Sequence, residues 1–206
     1  MIDRYAVIGN PISHSKSPFI HAEFAKQTKQ ELHYGTILAP LDGFIEQVNA
    51  FVKLGGRGLN VTLPFKMEAF ELATDKSPRA LDAGAVNTLK FVGNSITGDN
   101  SDGIGLVRDI TENLGFAIRG KRVLVIGSGG AARGVIYPLL HEVPLSFTLV
   151  NRSPEKAAGL IARYFEVSFF KPIQLATVTF SELKGQSFDL IINATAASVS
   201  GESLPL

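Results

Sequence analysis

The sequence contains no cysteine. Disulfides, thiolate metal sites and thiol nucleophiles are excluded together, and a reducing compartment is the fitting environment. Charge of one sign is not in excess either: 20 Lys and Arg face 19 Asp and Glu, a formal net charge of +1. Without a basic or acidic surplus, neither nucleic acid nor a membrane surface is an expected partner. No apolar run approaches the roughly 20 residues that a membrane-spanning helix needs. The opening Met1-Ile2-Asp3-Arg4-Tyr5 runs straight into an apolar stretch, without the basic segment and long apolar core of a signal peptide. A cytoplasmic protein is the expectation. The four histidines, His14, His21, His33 and His141, show no close metal-ligating spacing, so no metal is expected. No G-x-S-x-G nucleophile turn occurs.

What is present is the material for a sizeable core, 45% hydrophobic residues against 19% charged ones. The length of 206 residues leaves one or two domains open. There is no internal repeat and no low-complexity segment. In the first half, short β-like runs at 5–9, 34–38, 58–61 and 86–92 alternate with helical patterns. A helix is expected to begin near Ser17-Pro18, with a serine cap and a proline in its first turn. Phe44, Val48, Phe51 and Val52 repeat at helical spacing until Gly55-Gly56 stops them. Gly93-Asn94 predicts a hairpin. Strands alternating with helices argue for an α/β domain over 1–102.

A helix through Ile104, Val107, Ile110 and Leu114 is expected to bridge the halves. Beyond it, 122–126, 147–150 and 188–192 read as strands, a weaker run near 173–178 supplies a fourth, and helices fall near 131–140 and 154–165. This pattern predicts a Rossmann-type, doubly wound nucleotide-binding domain over 103–206. A complete dinucleotide fold has six strands. Four are legible here, and the expectation is that the domain is incomplete because the chain is truncated at its C-terminus.

The strand at 122–126 leads into Gly127-Ser128-Gly129-Gly130-Ala131-Ala132, a G-x-G-x-x-A pattern that opens a helix. The first glycine makes the tight turn, and the second lets the backbone approach a pyrophosphate. The small third residue lets helix and strand pack closely, while the helix N-terminus attracts the anion. An NAD site would carry a carboxylate at the end of the second strand, for the ribose 2′-hydroxyl. Asn151-Arg152-Ser153 stands there instead, with Lys156 four residues after Arg152. A carboxylate would repel a 2′-phosphate, whereas a guanidinium offers it forked, charge-assisted hydrogen bonds. The expected cofactor is NADP(H).

Three further clusters in the first half are dense in hydroxyl and amide groups: Gly9-Asn10-Pro11-Ile12-Ser13-His14-Ser15-Lys16-Ser17-Pro18, Asn60-Val61-Thr62-Leu63-Pro64-Phe65-Lys66, and Ala85-Val86-Asn87-Thr88 with Asp99-Asn100-Ser101-Asp102-Gly103. Each falls where a strand meets a turn, the usual place for ligand contacts in α/β folds. Separately, each has a scaffold explanation as a cap, a turn or an exposed lysine. Together they suit a polyhydroxy acid.

On these runs, the glycine turn, Asn151-Arg152-Ser153 and Asn193-Ala194-Thr195, the sequence resembles the shikimate dehydrogenase family across essentially its whole length. The resemblance implies NADPH-dependent, reversible reduction of 3-dehydroshikimate to shikimate, a step of aromatic amino-acid biosynthesis, by a monomer or homodimer. It implies that Ser15 and Ser17 hold the substrate carboxylate, and that Asn60, Thr62, Asn87 and Asp102 hold its ring oxygens. Lys66 and Asp102 are implied as the catalytic pair, with Asn193 and Thr195 on the nicotinamide side. Lys66 is the candidate to give and take the proton, and Asp102 to bind substrate and orient Lys66. His14 either touches substrate or satisfies local backbone.

Ser17 and the Asn151-Arg152-Ser153 run resemble the NADP-specific biosynthetic branch more than the NAD-accepting quinate/shikimate branch, so quinate is expected to be a poor substrate. A non-catalytic NADP-binding module is the rival from another class. Two departures stand out. The family usually has glycine at the position of Ser198. Its members also carry a further C-terminal region that completes the nucleotide domain and returns a helix, with a substrate-binding glutamine, to the first domain.

Overall fold

A computed structural model describes residues 2–195 and Leu204. The chain divides into two compact units, Met1–Ser101 and Asp102–Leu206. In the first, β1 (Asp3–Gly9), α1 (Ser17–Thr28), β2 (Leu32–Leu38), α2 (Phe44–Lys53), β3 (Gly56–Val61), α3 (Lys66–Leu72), β4 (Asp75–Lys76), α4 (Pro78–Ala83), β5 (Thr88–Val92) and β6 (Ser95–Asp99) follow in order. They build a six-stranded mixed sheet of order β2-β1-β3-β5-β6-β4.

Strand β1 lies inside the sheet, parallel to the edge strand β2 on one side and to β3 on the other. Its residues Ala6, Val7 and Ile8 are all buried, the continuous apolar run of a strand covered on both faces. Ala6, Ile8, Leu59, Val61, Leu89 and Phe91 share one face of the sheet and pack with Phe44 and Val48 of α2 and with Phe65 and Ala69. Phe44 stacks on Phe65 with ring centroids 5.0 Å apart.

The register decides where the polar groups gather. Parallel pairing sets Ile8 against Val61, so β1 and β3 end together. The antiparallel β5 starts at that same end, with Thr88 opposite Asn60 on one side and Asp99 of β6 on the other. The ends of β1 and β3 and the open end of the β5–β6 hairpin therefore meet at one end of one sheet.

Several expectations are corrected in this unit. Ser17 does not cap α1: it is the first helical residue, Lys16 occupies the N-cap position, and no side chain caps it. The Ser17 N–H instead donates to the Ser15 hydroxyl at 3.3 Å. The run at 86–92 enters the sheet only at Thr88. Buried Val86 precedes it, its N–H bonded to the Lys66 carbonyl at 2.8 Å. The short elements α3, β4 and α4 were not foreseen.

In the second unit, α5 (Asp102–Arg108) continues into a π-helical turn, Asp109–Asn113. Then come β7 (Arg122–Ile126), α6 (Gly130–His141), β8 (Ser146–Val150), α7 (Pro154–Phe165), β9 (Gln174–Val178) and β10 (Leu190–Asn193). The four strands are all parallel, in the order β10-β7-β8-β9. The chain winds outward from β7 to β9 and then returns to the other side of β7, so a topological switch point falls between β7 and β10. Val123, Val125, Ile136, Leu139, Phe147 and Ile161 form the core on one face. Among the described residues, four strands of the expected Rossmann-type sheet are present.

Candidate active site

At the gathered end of the first unit's sheet, the loops are tied together by backbone. Asn10 N donates to Leu63 O at 3.0 Å, Thr62 N to Ile8 O at 3.0 Å, Val61 N to Asn87 O at 2.8 Å and Asn87 N to Asp99 O at 3.0 Å. Ser15, Ser17, Asn60, Thr62 and Lys66 are half-buried and Asn87 is buried. Lys66 opens α3 directly after the loop that leaves β3.

The side chains form a continuous polar chain on this frame. The Ser101 N–H donates to Asn87 Oδ1 at 3.1 Å, and Asn87 Nδ2 donates to the Ser101 hydroxyl at 3.1 Å. The Thr88 hydroxyl donates to Asn87 Oδ1 at 2.9 Å and accepts from Asn60 Nδ2 at 3.3 Å. Asn60 Oδ1 then accepts from the Tyr34 hydroxyl at 2.6 Å. Burial pushes the Tyr34 phenol up to about 12, against the opposing effect of a hydrogen bond with Ser17. His21 lies flat on the Tyr34 ring, centroids 4.1 Å apart and planes 7° off parallel. Burial lowers the His21 pKa, and a hydrogen bond with Asn60 partly offsets that.

Asp99, part of one of the clusters singled out above, has a bracing role. Burial opposes its ionisation, but hydrogen bonds from Arg79, Ser77 and the Asn100 N–H hold the carboxyl below the usual range. Its partners show that it ties α4 to the end of β6. Buried Asn100 pins the same corner, with Nδ2 on Ala85 O at 3.0 Å. A groove of about 520 Å³ reaches this network along the sheet face that carries Tyr34, Asn60 and Thr88, with His21 on its wall.

Tyr34, Thr88 and His21 were missed as site residues. Thr88 sits inside a quoted run, so its neighbour Asn87 was the available signal. Tyr34 lies 26 residues from Asn60, and only the pairing of β2 and β3 with β1 brings them together.

In the second unit, the carboxyl ends of β10, β7 and β8 lie side by side. Ile126 is paired with Asn193 on one side and Val150 on the other. Gly127 has φ +112°, and a Cβ there would come within 3.0 Å of Ala194 O. Gly129 is different: a Cβ there would meet nothing within 4 Å. The space above Gly129 is open, and the protein's own packing does not demand glycine. The 12-residue α6 begins at Gly130 with no side chain capping it, so its first N–H groups lack helical acceptors. Ala132 is fully buried against the sheet.

These features fit a pyrophosphate at the turn: uncapped donors, an open approach at Gly129 and a small residue where helix meets strand. Ser128 and Ala131 complete the turn. Asn151 Nδ2 donates to Ser153 O at 3.2 Å, bending the chain into α7, while Arg152 and Lys156 are exposed beside it. Asn193 Oδ1 accepts from both the N–H and the hydroxyl of Thr195, at 3.0 and 2.7 Å. Lys66 and Asp102 fall in different units, Asp102 as the first residue of α5. Ser198 lies outside the described residues.

A parallel sheet with an open glycine turn, joined in one chain to a mixed α/β unit with a polar sheet end, defines a two-unit α/β protein whose second unit has the architecture of a nucleotide-binding domain. Residues 7–89 match the family model for the shikimate dehydrogenase substrate binding domain, and residues 108–200 match that for shikimate / quinate 5-dehydrogenase. The chain belongs to the shikimate dehydrogenase family. It is 57% identical over its whole length to a shikimate dehydrogenase (NADP(+)) of Dechloromonas aromatica, covering 73% of that protein. Among solved structures it is similar to an Ael1 enzyme from Pseudomonas putida, with TM-score 0.85 and 47% identity over 99% of this chain and 73% of that one. A shikimate 5-dehydrogenase of Thermus thermophilus in complex with NADP(H) and shikimate matches at TM-score 0.79 and 30% identity, over 95% of this chain and 69% of that one.

Proposed function

We propose that this chain carries out the NADP-dependent interconversion of 3-dehydroshikimate and shikimate, in the cytoplasm. The observation that carries the reading is the hydrogen-bonded array of Asn60, Thr88 and Asn87 at the sheet end where Lys66 opens α3. Such an array suits a ring bearing several hydroxyls, because each amide offers directed donors and acceptors at a fixed spacing. Ser15 and Ser17 take the carboxylate, Asn60, Thr62, Asn87 and Asp102 the ring oxygens.

In the reducing direction Lys66 gives its proton to the ketone oxygen as the carbonyl carbon is reduced, and in the oxidising direction it takes that proton back. Asp102 binds substrate and orients Lys66. Bound NADPH supplies the hydride. The residues that hold it are the turn from Gly127 to Ala132, with Arg152 and Lys156 on the 2′-phosphate, Asn151 and Ser153 shaping that corner, and Asn193 and Thr195 on the nicotinamide side. The guanidinium of Arg152 at the position of the NAD-type carboxylate supports NADP over NAD.

The test is the nicotinamide absorbance change when the chain meets shikimate with NADP, with NAD and quinate as controls. Turnover with NADP and shikimate, and little with either control, is the expected result. Equal rates with NAD or with quinate would favour the NAD-accepting quinate branch. Cofactor binding without any turnover would leave only the nucleotide-binding reading.

A further inference from the structure

We propose that Thr88 and Tyr34 are positioning residues, a hydroxyl relay that fixes which way the Asn60 and Asn87 amides face. The inference rests on the reading above for what those amides bind. The logic starts from the one group in the network that cannot turn round. The Ser101 N–H is a backbone donor, so the atom it meets on Asn87 at 3.1 Å must be the oxygen.

An amide oxygen only accepts, so the Thr88 hydroxyl 2.9 Å away must give it its single proton. Having spent that proton, the Thr88 oxygen can only accept from Asn60. Asn60 therefore meets it with Nδ2, at 3.3 Å, and is left with Oδ1 towards the Tyr34 hydroxyl at 2.6 Å. Tyr34 closes the chain as a donor. Its phenol stays protonated far above neutral pH, and its ring is held by the stacked His21. Turning either amide would set donor against donor or acceptor against acceptor somewhere along the chain. In a partly buried network such a mismatch leaves polar groups unpaired.

The two amides are thus oriented before any ligand arrives. The Tyr34 hydroxyl also interacts with Ser17, proposed above to take the substrate carboxylate. Preorganised groups of this kind save the ligand the cost of ordering them.

The experiment compares Thr88→Val, Thr88→Ser and Tyr34→Phe in the full chain. Two readouts are taken: the side-chain amide NMR signals of Asn60 and Asn87 without ligand, and the KM and kcat for shikimate. Thr88→Val keeps the shape and removes the relay. Its expected effects are displaced amide signals from both asparagines and a KM raised about tenfold, equivalent to ~1.4 kcal/mol, with kcat within about threefold. Thr88→Ser restores the hydroxyl and should restore both readouts. Tyr34→Phe keeps the stack on His21 and should displace the Asn60 signals and raise KM.

Unchanged amide signals in Thr88→Val would overturn the relay, and so would a Thr88→Ser variant behaving like Thr88→Val, which would make the methyl packing responsible. Displaced amides in a chain whose wild type neither binds nor turns over shikimate would leave the relay standing and sink the functional reading instead.

Discussion

The two units offer a small polar molecule opposite kinds of surface. The first presents side chains whose hydrogen bonds are made to one another in advance, from Ser101 through Asn87, Thr88 and Asn60 to Tyr34. The second presents backbone: an uncapped helix start, a left-handed glycine and an open space over Gly129. A substrate distinguished from its analogues by the placing of hydroxyls needs directed partners, and a mispositioned amide costs recognition. A pyrophosphate needs N–H groups and room, which a tight turn supplies whatever its side chains. Sequence should therefore be read differently in the two places, for side-chain chemistry in the first and for missing side chains in the second.

The sharpest way to break this comparison is Lys66→Ala. If reactive side-chain chemistry belongs to the first unit, kcat should fall about 10²–10⁴-fold, the usual worth of a positioned proton donor. Binding of NADP to the second unit should be unchanged, measured by titration calorimetry. A folded variant with near-normal turnover would remove Lys66 from the chemistry.

The next test lies inside the glycine turn. Gly127→Ala and Gly129→Ala are the same chemical change two residues apart. At Gly127 the φ of +112° strains any side chain, and the added carbon meets Ala194 O at 3.0 Å. A loss of about 1–3 kcal/mol in unfolding free energy is expected. At Gly129 the backbone is extended, with φ −78° and ψ −171°, and nothing lies within reach of the added carbon. Stability should change by less than about 0.5 kcal/mol, while the KM for NADP rises. Urea unfolding and cofactor titration on both variants separate a glycine needed for the fold from one needed for the ligand. Weakened cofactor binding in neither variant would remove the pyrophosphate from this turn.

How far the sequence could be read follows from the same contrast. The strand at Arg122–Ile126 was legible to the residue, because a parallel strand buried on both faces is an unbroken apolar run. The glycine turn was legible because its requirement is a gap in the side-chain record. In the first unit the helix α3 has seven residues and β4 two, too short for periodicity to mark. Ser17 looked like a cap because serine before proline usually is one, but here the accepting oxygen belongs to Ser15. Asn60 and Asn87 were found by their resemblance-bearing runs. Tyr34, which holds one of them in place, sits on a different strand, and nothing local to Tyr34 announces a partner 26 residues away.

The smallest expected effect concerns acid, and it separates the units again. In the first, His21 has a pKa lowered by burial from an ordinary value of 6.5. The unfolded chain therefore binds that proton first. The stability His21 contributes is complete above about pH 6.5 and declines as the pH falls through its lower folded value. In the second unit, Asp189 receives hydrogen bonds from the Arg122 side chain at 3.0 and 3.1 Å and from its backbone N–H at 2.8 Å. Together they bring the carboxyl down from 3.8 to about 2. Its contribution is present above about pH 4 and lost only as the pH falls through about 2. The pair is exposed, so its contribution is small.

Hydrogen-exchange protection factors, followed from pH 7 to 2 in β1 and β3 for one unit and in β7 and β10 for the other, read the two windows separately. His21→Phe keeps a flat ring on Tyr34 but cannot take up a proton, so it should flatten the decline in β1 and β3 below about pH 6.5 without altering β7 and β10. Asp189→Asn should lower protection of β7 and β10 at neutral pH, and its difference from wild type should shrink only below about pH 4. A difference for Asp189→Asn that persisted undiminished to the lowest pH would mean that the paired charge is not what joins those two strand ends.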